Sequence, residues 1–255
     1  MQHPWIPILT RLAALAVVAA LGGAITFGYL GRLHPAFDSF SHFRIHLAVL
    51  LVLAVPPLLL LHFRIEAVFA AVLGLATLIQ TTGLPSTPRL AAVSASTASE
   101  GDGSPVYKLL QINLRYDNPT PEATLSLIGS LRPDVVTLNE VSPHWTGKLA
   151  LLEAAYPYRI ICPPPSHTGG AAILSRRPFA AGIEPYCGDR GAFAHAHIDL
   201  GGRMVEVAAL HLGWPWPFEQ PWQLPHMGPL LARLGNTAII AGDLNSVPWS
   251  HTARQ

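Results

Sequence analysis

The sequence is poor in charge. Only 12% of its residues are Asp, Glu, Lys or Arg, about half the share of an average soluble chain. The scarcity is uneven: residues 1–85 carry only Arg11, Arg32, Asp38, Arg44, Arg64 and Glu66. Runs of basic residues are missing altogether. Arg176-Arg177 is the single adjacent pair of cations, and the formal net charge is +1. Proteins that track long nucleic acids neutralise many phosphates and show a basic surplus or cluster. That class is disfavoured. Cysteine is also scarce. Cys162 and Cys187 are the only two, and they lack the spacing of a metal site. Either they close a disulfide, as an oxidising compartment permits, or they are two free thiols.

What the sequence has instead is apolar length. Leu12 to Leu30 contains no charge, Ile45 to Leu61 is interrupted only by His46, and a third run extends from Ala67 to Ile79 and on to Thr82. A helix that crosses a bilayer needs about 20 mainly apolar residues. The pattern predicts a bundle of about three transmembrane helices within residues 1–83, with spans near 12–30, 45–61 and 65–82. Pro56-Pro57 would kink the second, which membrane helices tolerate where neighbours satisfy the freed carbonyls. The first run is too long for a signal-peptide core and has two successors, which argues against cleavage. Few ionisable residues interrupt the spans, unlike the path of a transporter. Arg11 and Arg64 fall on one side of a three-span arrangement, and Arg32, Arg44 and Arg89 on the other, so the positive-inside rule does not settle the orientation. A disulfide would favour a soluble domain outside the cytoplasm.

Residues 84–104 (LPSTPRLAAVSASTASEGDGS) are rich in Ser, Thr, Ala, Pro and Gly and read as a flexible tether. Residues 105–255 then balance acidic and basic side chains and alternate strand and helix patterns. Strands are expected at Val106–Leu114, Asp134–Val141, Tyr158–Cys162, Ala171–Ser175, Phe193–Leu200, Arg203–Leu212 and Ala238–Leu244. Helices are expected at Pro121–Leu131, His144–Tyr156 and Gln223–Leu234. Thr120 is the candidate N-cap before Pro121. Gly201-Gly202 fits a two-residue hairpin turn. The hairpin points to mixed sheets rather than a doubly wound parallel one.

Polar residues stand at the ends of these apolar strands: Asn113, Glu140, His211, and the pair Asp243 and Asn245. Strand ends that support loops are common places for sites in α/β folds. Each residue has a structural alternative when taken alone. Asn113 suits a strand terminus that bonds its own backbone, Asp243 and Asn245 a turn, Glu140 an exposed acid, and His211 a satisfied buried imidazole.

In order, QIN, PDVVTLNEV, AAILSRRPF, HLG and AGDLN resemble the motifs of the endonuclease/exonuclease/phosphatase superfamily, of DNase I-like or exonuclease III-like fold. The arrangement with spans ahead resembles bacterial membrane-anchored members, which implies a multi-pass protein of the inner (plasma) membrane. The resemblance implies an α/β (α+β) four-layer sandwich, with two mixed β-sheets flanked by helices. It implies phosphoester hydrolysis with Mg²⁺ or Mn²⁺. Glu140 would be the principal metal ligand, supported by Asn113. Asp243 would orient or deprotonate the attacking water, Asn245 would donate to a phosphate oxygen, and His211 would contact phosphate or assist proton transfer. Nucleic acid, a phospholipid head group and a small phosphate ester all suit this chemistry. Ser175 and Arg176 of the LSR segment read as a structural strand end. His195 and His197 share a strand face but lack a third metal partner in the sequence. Trp214 to Phe218 form a stiff aromatic loop, suited to lining the site, touching a membrane interface or packing on the domain. The family pattern continues past GDLN to an Asp-His pair, whereas Ser246 to Gln255 hold only His251, too soon after Asn245. The sequence therefore predicts an incomplete domain with impaired turnover, the alternative being an inactive binding module.

Overall fold

The computed structural model describes residues 5–83, 105–164 and 169–254, so the expected tether at 84–104 lies outside the described residues. The chain divides into two compact units. One comprises Met1–Asp102 with Pro215–Pro217 and Ser246–Gln255; the other comprises Gly103–Trp214 with Phe218–Asn245.

The first unit contains four helices: α1 (Trp5–Tyr29), α2 (Pro35–Ser41), α3 (Arg44–Leu60) and α4 (Arg64–Thr82). Ile8–Tyr29 and Arg64–Thr82 are each long and apolar enough to cross a membrane. The middle expected span is the helix α3, which has 17 residues and is bent by 59° from α2; with the bent pair taken as one span the described helices offer up to three. Ile25, Ala48, Leu51, Ala67 and Ala70 pack in the interior of this unit, where small residues let helices approach closely. The outer surface is apolar as well: Leu60 is 80% and Ile65 79% exposed. Apolar residues on every face suit lipid better than water. The Asp38 carboxylate accepts bonds from the His251 and Thr252 amides, at 2.7 and 3.0 Å.

The second unit contains two four-stranded mixed sheets. The strands are β1 (Leu109–Asn113), β2 (Val135–Val141), β3 (Tyr158–Ile161), β4 (Gly170–Ser175), β5 (Tyr186–Gly188), β6 (Phe193–Asp199), β7 (Met204–His211) and β8 (Ile239–Asp243). The sheet orders are β1-β2-β4-β3 and β5-β6-β7-β8. The β1/β2 and β7/β8 pairs are parallel, and the rest are antiparallel. The period-2 alternation of strand side chains sorts residues into layers. Val135, Ala171, Ile173, Ala194, Ala196, Ile198, Val207 and Ala209 fill the space between the sheets. On the opposite face of the first sheet, Val136, Leu138 and Leu174 pack with Ile128 of α5 (Pro121–Leu131) and with Trp145 and Leu149 of α6 (Pro143–Leu149). Phe193, Ala208 and Leu210 meet Met227 of α7 (Gln220–Leu231) on the far face of the second sheet. The result is the expected helix–sheet–sheet–helix sandwich.

Gly201 and Gly202 both have positive φ, at 71° and 91°, as the predicted two-residue turn requires. Several boundaries differ from expectation. β1 starts at Leu109, because the Lys108 amide bonds the Asp134 side chain at 3.0 Å rather than a strand partner. The helix expected at His144–Tyr156 is α-helical only over Pro143–Leu149; a 3₁₀ turn follows at Ala150–Leu152. α7 begins three residues before its predicted start, with the Gln220 amide bonded to the Trp214 carbonyl at 3.0 Å. Thr120 does not cap α5. Its hydroxyl turns to Asn118 Oδ1 at 3.3 Å. The short β5 was not legible in the pattern. β8 is an edge strand, with Ile239 41% and Ile240 48% exposed.

Candidate active site

The parallel pairs bring strand ends together. Asn113 is the β1 partner of Asn139, and His211 is the β7 partner of Asp243. The neighbouring Gly242 sits against Leu210, and a Cβ there would overlap the Leu210 backbone. Glycine thus lets β8 approach β7 just before Asp243.

Glu140 reaches the site through a β-bulge. The β2–β4 register shifts between Leu138 and Val141, and Glu140 takes a φ of +59°. Bulges re-aim side chains near active sites, and a left-handed non-glycine residue costs about 1–2 kcal/mol. Two hydrogen bonds fix the direction of its carboxylate. Glu140 Oε2 accepts from the Tyr116 amide at 2.9 Å, and Oε1 accepts from Asn113 Nδ2 at 2.8 Å. The loop that presents Tyr116 is fixed in turn. Trp145 Nε1 donates to the Arg115 carbonyl at 3.0 Å, and Ser142 Oγ donates to that of Tyr116 at 2.7 Å.

Asn113 Nδ2 also lies 2.8 Å from Asp243 Oδ2, while Asp243 Oδ1 accepts the Asn245 amide at 2.9 Å. His211 Nε2 is 4.0 Å from Glu140 Oε1. Burial lowers the His211 pKa and outweighs the opposing pull of Asp243 and Glu140, so the imidazole is held neutral. Glu140, His211 and Asp243 each offer a ligand atom within 4.8 Å of the others. Among the described residues, neither Glu140 nor Asp243 makes an ion pair with a lysine or arginine. Two carboxylates held together by neutral amides, beside a neutral imidazole, fit a divalent cation as their missing partner.

All five predicted residues lie in this region. Asn245 is placed less directly than expected: its Nδ2 donates to the Leu212 carbonyl at 2.7 Å, which commits one of its two N–H groups to the scaffold. Three further residues escaped sequence reasoning. Asn139, fully buried, accepts from Gln111 and donates to the Leu210 carbonyl at 3.1 Å, linking the two sheets beneath the site. Gln223 spans the loop after β7, donating to the His211 carbonyl at 2.9 Å and accepting the Gly213 amide at 2.7 Å. Gln220 donates to the carbonyls of Gly213 and Leu244. The signal for Asn139 was a polar residue inside the buried run VVTLNEV. The two glutamines carried none. Ser175 Oγ closes a turn with Arg177, and Arg176 donates to the Arg132 carbonyl. Trp214 is 66% exposed.

The sequence pattern of the Endonuclease/Exonuclease/phosphatase family matches residues 110–255. The chain belongs to this family. Comparison with curated proteins finds no match. Among solved structures, the chain is similar to beta toxin from Staphylococcus aureus, at 18% identity over 58% of this chain and 69% of that one, with a TM-score of 0.42. A humanized D. rerio TDP2 matches at 18% identity over 55% and 67% of the two chains, TM-score 0.44. Sphingomyelinase C from Streptomyces griseocarneus matches at 20% identity over 59% and 68%, TM-score 0.41. Membership in the family follows from the match over 110–255 and does not draw on these distant likenesses.

Proposed function

We propose that the chain is a membrane-anchored phosphoester hydrolase dependent on a divalent metal, of the nuclease, phosphodiesterase or phosphatase type. The observation that carries this reading is the convergence of Glu140, His211 and Asp243 within 4.8 Å, bridged by Asn113. Glu140 is the principal ligand for Mg²⁺ or Mn²⁺, with Asn113 holding its carboxylate in place. When bound, the cation would polarise a phosphoryl oxygen. Asp243 orients a water, whose oxygen bonds to phosphorus as the ester P–O bond breaks and the leaving alcohol takes a proton. His211, kept neutral by burial, is the group able to accept and pass on that proton. The remaining amide N–H of Asn245 is available to a phosphate oxygen, where it would stabilise developing charge.

Residues 1–83 serve as the anchor, 84–104 as a tether and 105–255 as the hydrolase domain. The apolar surfaces of α1 and α4 support insertion in a membrane, which this reading takes to be a bacterial plasma membrane. The Cys162–Cys187 disulfide supports a domain outside the cytoplasm. The balanced charge favours a phospholipid head group or small ester over a long nucleic acid. Turnover is expected to be slow. Asn245 already commits one amide N–H to the Leu212 carbonyl, which supports a second reading, a module that binds metal and phosphoester without turnover.

The test is hydrolysis by the purified chain in detergent, with bis(p-nitrophenyl) phosphate, a nucleotide diester and a phospholipid as substrates. We expect slow release that needs Mg²⁺ or Mn²⁺ and is abolished by Glu140→Ala. Turnover that survives EDTA or Glu140→Ala would exclude the reading. Metal-dependent ligand binding without turnover would favour the binding module.

A further inference from the structure

A second group of side chains lies away from the site, on the far face of the β5–β8 sheet. Alternation along β6 sends Ala194, Ala196 and Ile198 into the core between the sheets and places Phe193, His195 and His197 on the other face. On β7, Glu206 is the direct cross-strand partner of His197, and Ala208 is that of His195. The pair of histidines that lacked a third partner in the sequence thus acquires one from the adjacent strand.

We propose that His195, His197 and Glu206 form a binding site for a transition-metal ion of the zinc class, separate from the phosphoesterase centre. Their ligand atoms lie within 4.8 Å of one another. His197 Nε2 is 3.0 Å from Glu206 Oε1, and His195 Nε2 is 3.9 Å from Glu206 Oε2. A tetrahedral zinc ion with ligands at about 2.0–2.1 Å spaces its donors about 3.3 Å apart, between these two values.

An independent observation points the same way. His195 is 4% exposed, yet neither ring nitrogen has a hydrogen-bond partner. A buried polar group left unpaired is costly, and a metal on the ring would remove part of that cost. Glu206 is supported from outside the site: its Oε2 accepts the Gly235 amide at 2.8 Å, the kind of bond that fixes a metal-binding carboxylate. The Tyr186 ring lies 4.8 Å from that of His195 and walls one side. His197 and Glu206 side chains remain 23% exposed, which leaves room for a water as fourth ligand.

Donor chemistry sets the metal. Two imidazoles and one carboxylate suit zinc or its neighbours, whereas magnesium prefers oxygen ligands. The chain would then carry two unlike metal sites, one on either side of the second sheet.

The experiment uses the full chain in detergent, stripped with chelator and then loaded with zinc or, as a spectroscopic probe, cobalt(II). A Glu140→Gln/Asp243→Asn background removes the other cluster from the count. We expect about one retained zinc per chain, a tetrahedral cobalt spectrum and a higher Tm with metal. His197→Gln and Glu206→Gln should each lose all three signals. Glu206→Gln keeps the side chain's shape and an acceptor for Gly235, so it decides the matter should His197→Gln fail to fold. No retained metal in the parent background, or retention unchanged in Glu206→Gln, would overturn the site and leave a histidine–glutamate ion pair.

Discussion

Asn113 holds Glu140 at 2.8 Å through the same amide nitrogen that lies 2.8 Å from Asp243. One side chain from β1 thereby sets the separation of two carboxylates that belong to different sheets. Partners that orient metal ligands typically contribute 10- to 100-fold in affinity or activity. Asn113→Ala should therefore lower metal-dependent hydrolysis by roughly 10- to 100-fold and shift the Mg²⁺ titration to higher concentration. An unchanged titration midpoint would mean that Asn113 does not position the carboxylates.

Glu140 occupies its place at a cost in backbone energy, with φ at +59°. Glycine adopts that conformation freely. Glu140→Gly should abolish hydrolysis while raising the stability of the domain by up to about 1 kcal/mol. Chemical unfolding followed by fluorescence reads this out. A variant less stable than the parent would show that the carboxylate's bonds to Asn113 and Tyr116 outweigh the strain.

Much of this was legible in the sequence, for reasons that differ between elements. Buried strands such as β2 and β7 announce themselves as apolar runs, and Pro121 and Gly201-Gly202 punctuate the chain through fixed local conformations. The five site residues stood out because polar groups ended apolar strands in a familiar order. What stayed hidden depends on distant partners. The three-residue β5 is defined by pairing with β6 rather than by its own pattern. Glu206 becomes a neighbour of His197 only through cross-strand register. The roles of Gln220 and Gln223 depend on where α7 packs, and α7 starts earlier than its pattern predicts because the Gln220 amide bonds to a loop carbonyl.

The choice between disulfide and free thiols, open in the sequence, resolves to a Cys162–Cys187 bond with a separation of 25 residues. Cys162 follows β3 in one sheet and Cys187 lies within β5 of the other, so the bond ties the two sheets together. Closing a loop of this size contributes about 3–4 kcal/mol through the unfolded chain. Reduction, or the double replacement Cys162→Ala/Cys187→Ala, should lower the Tm of the domain by on the order of 10 °C. Equal melting before and after complete reduction, verified by thiol titration, would contradict this.

Asp134 offers a prediction about pH at a point remote from either metal cluster. Burial alone would raise its pKa, but the Lys108 amide and the Arg177 guanidinium, each 3.0 Å away, outweigh it, and the net shift is downward from 3.8. A carboxylate with a depressed folded pKa binds fewer protons folded than unfolded near that pH. Its contribution to stability is complete above about pH 3.8, the unfolded value, and fades as the pH falls through the lower folded value. Asp134→Asn should therefore destabilise the domain at pH 7 by about 1–2 kcal/mol, discounted for the partly exposed Arg177. The gap to the parent should narrow on acidification below pH 3.8. Unfolding at pH 7, 5 and 3 measures it. The expected sign is specific: a gap that widens toward low pH would mean that the Asp134 carboxyl is stabilised in its protonated form, and that its bonds to Lys108 and Arg177 do not carry the charge.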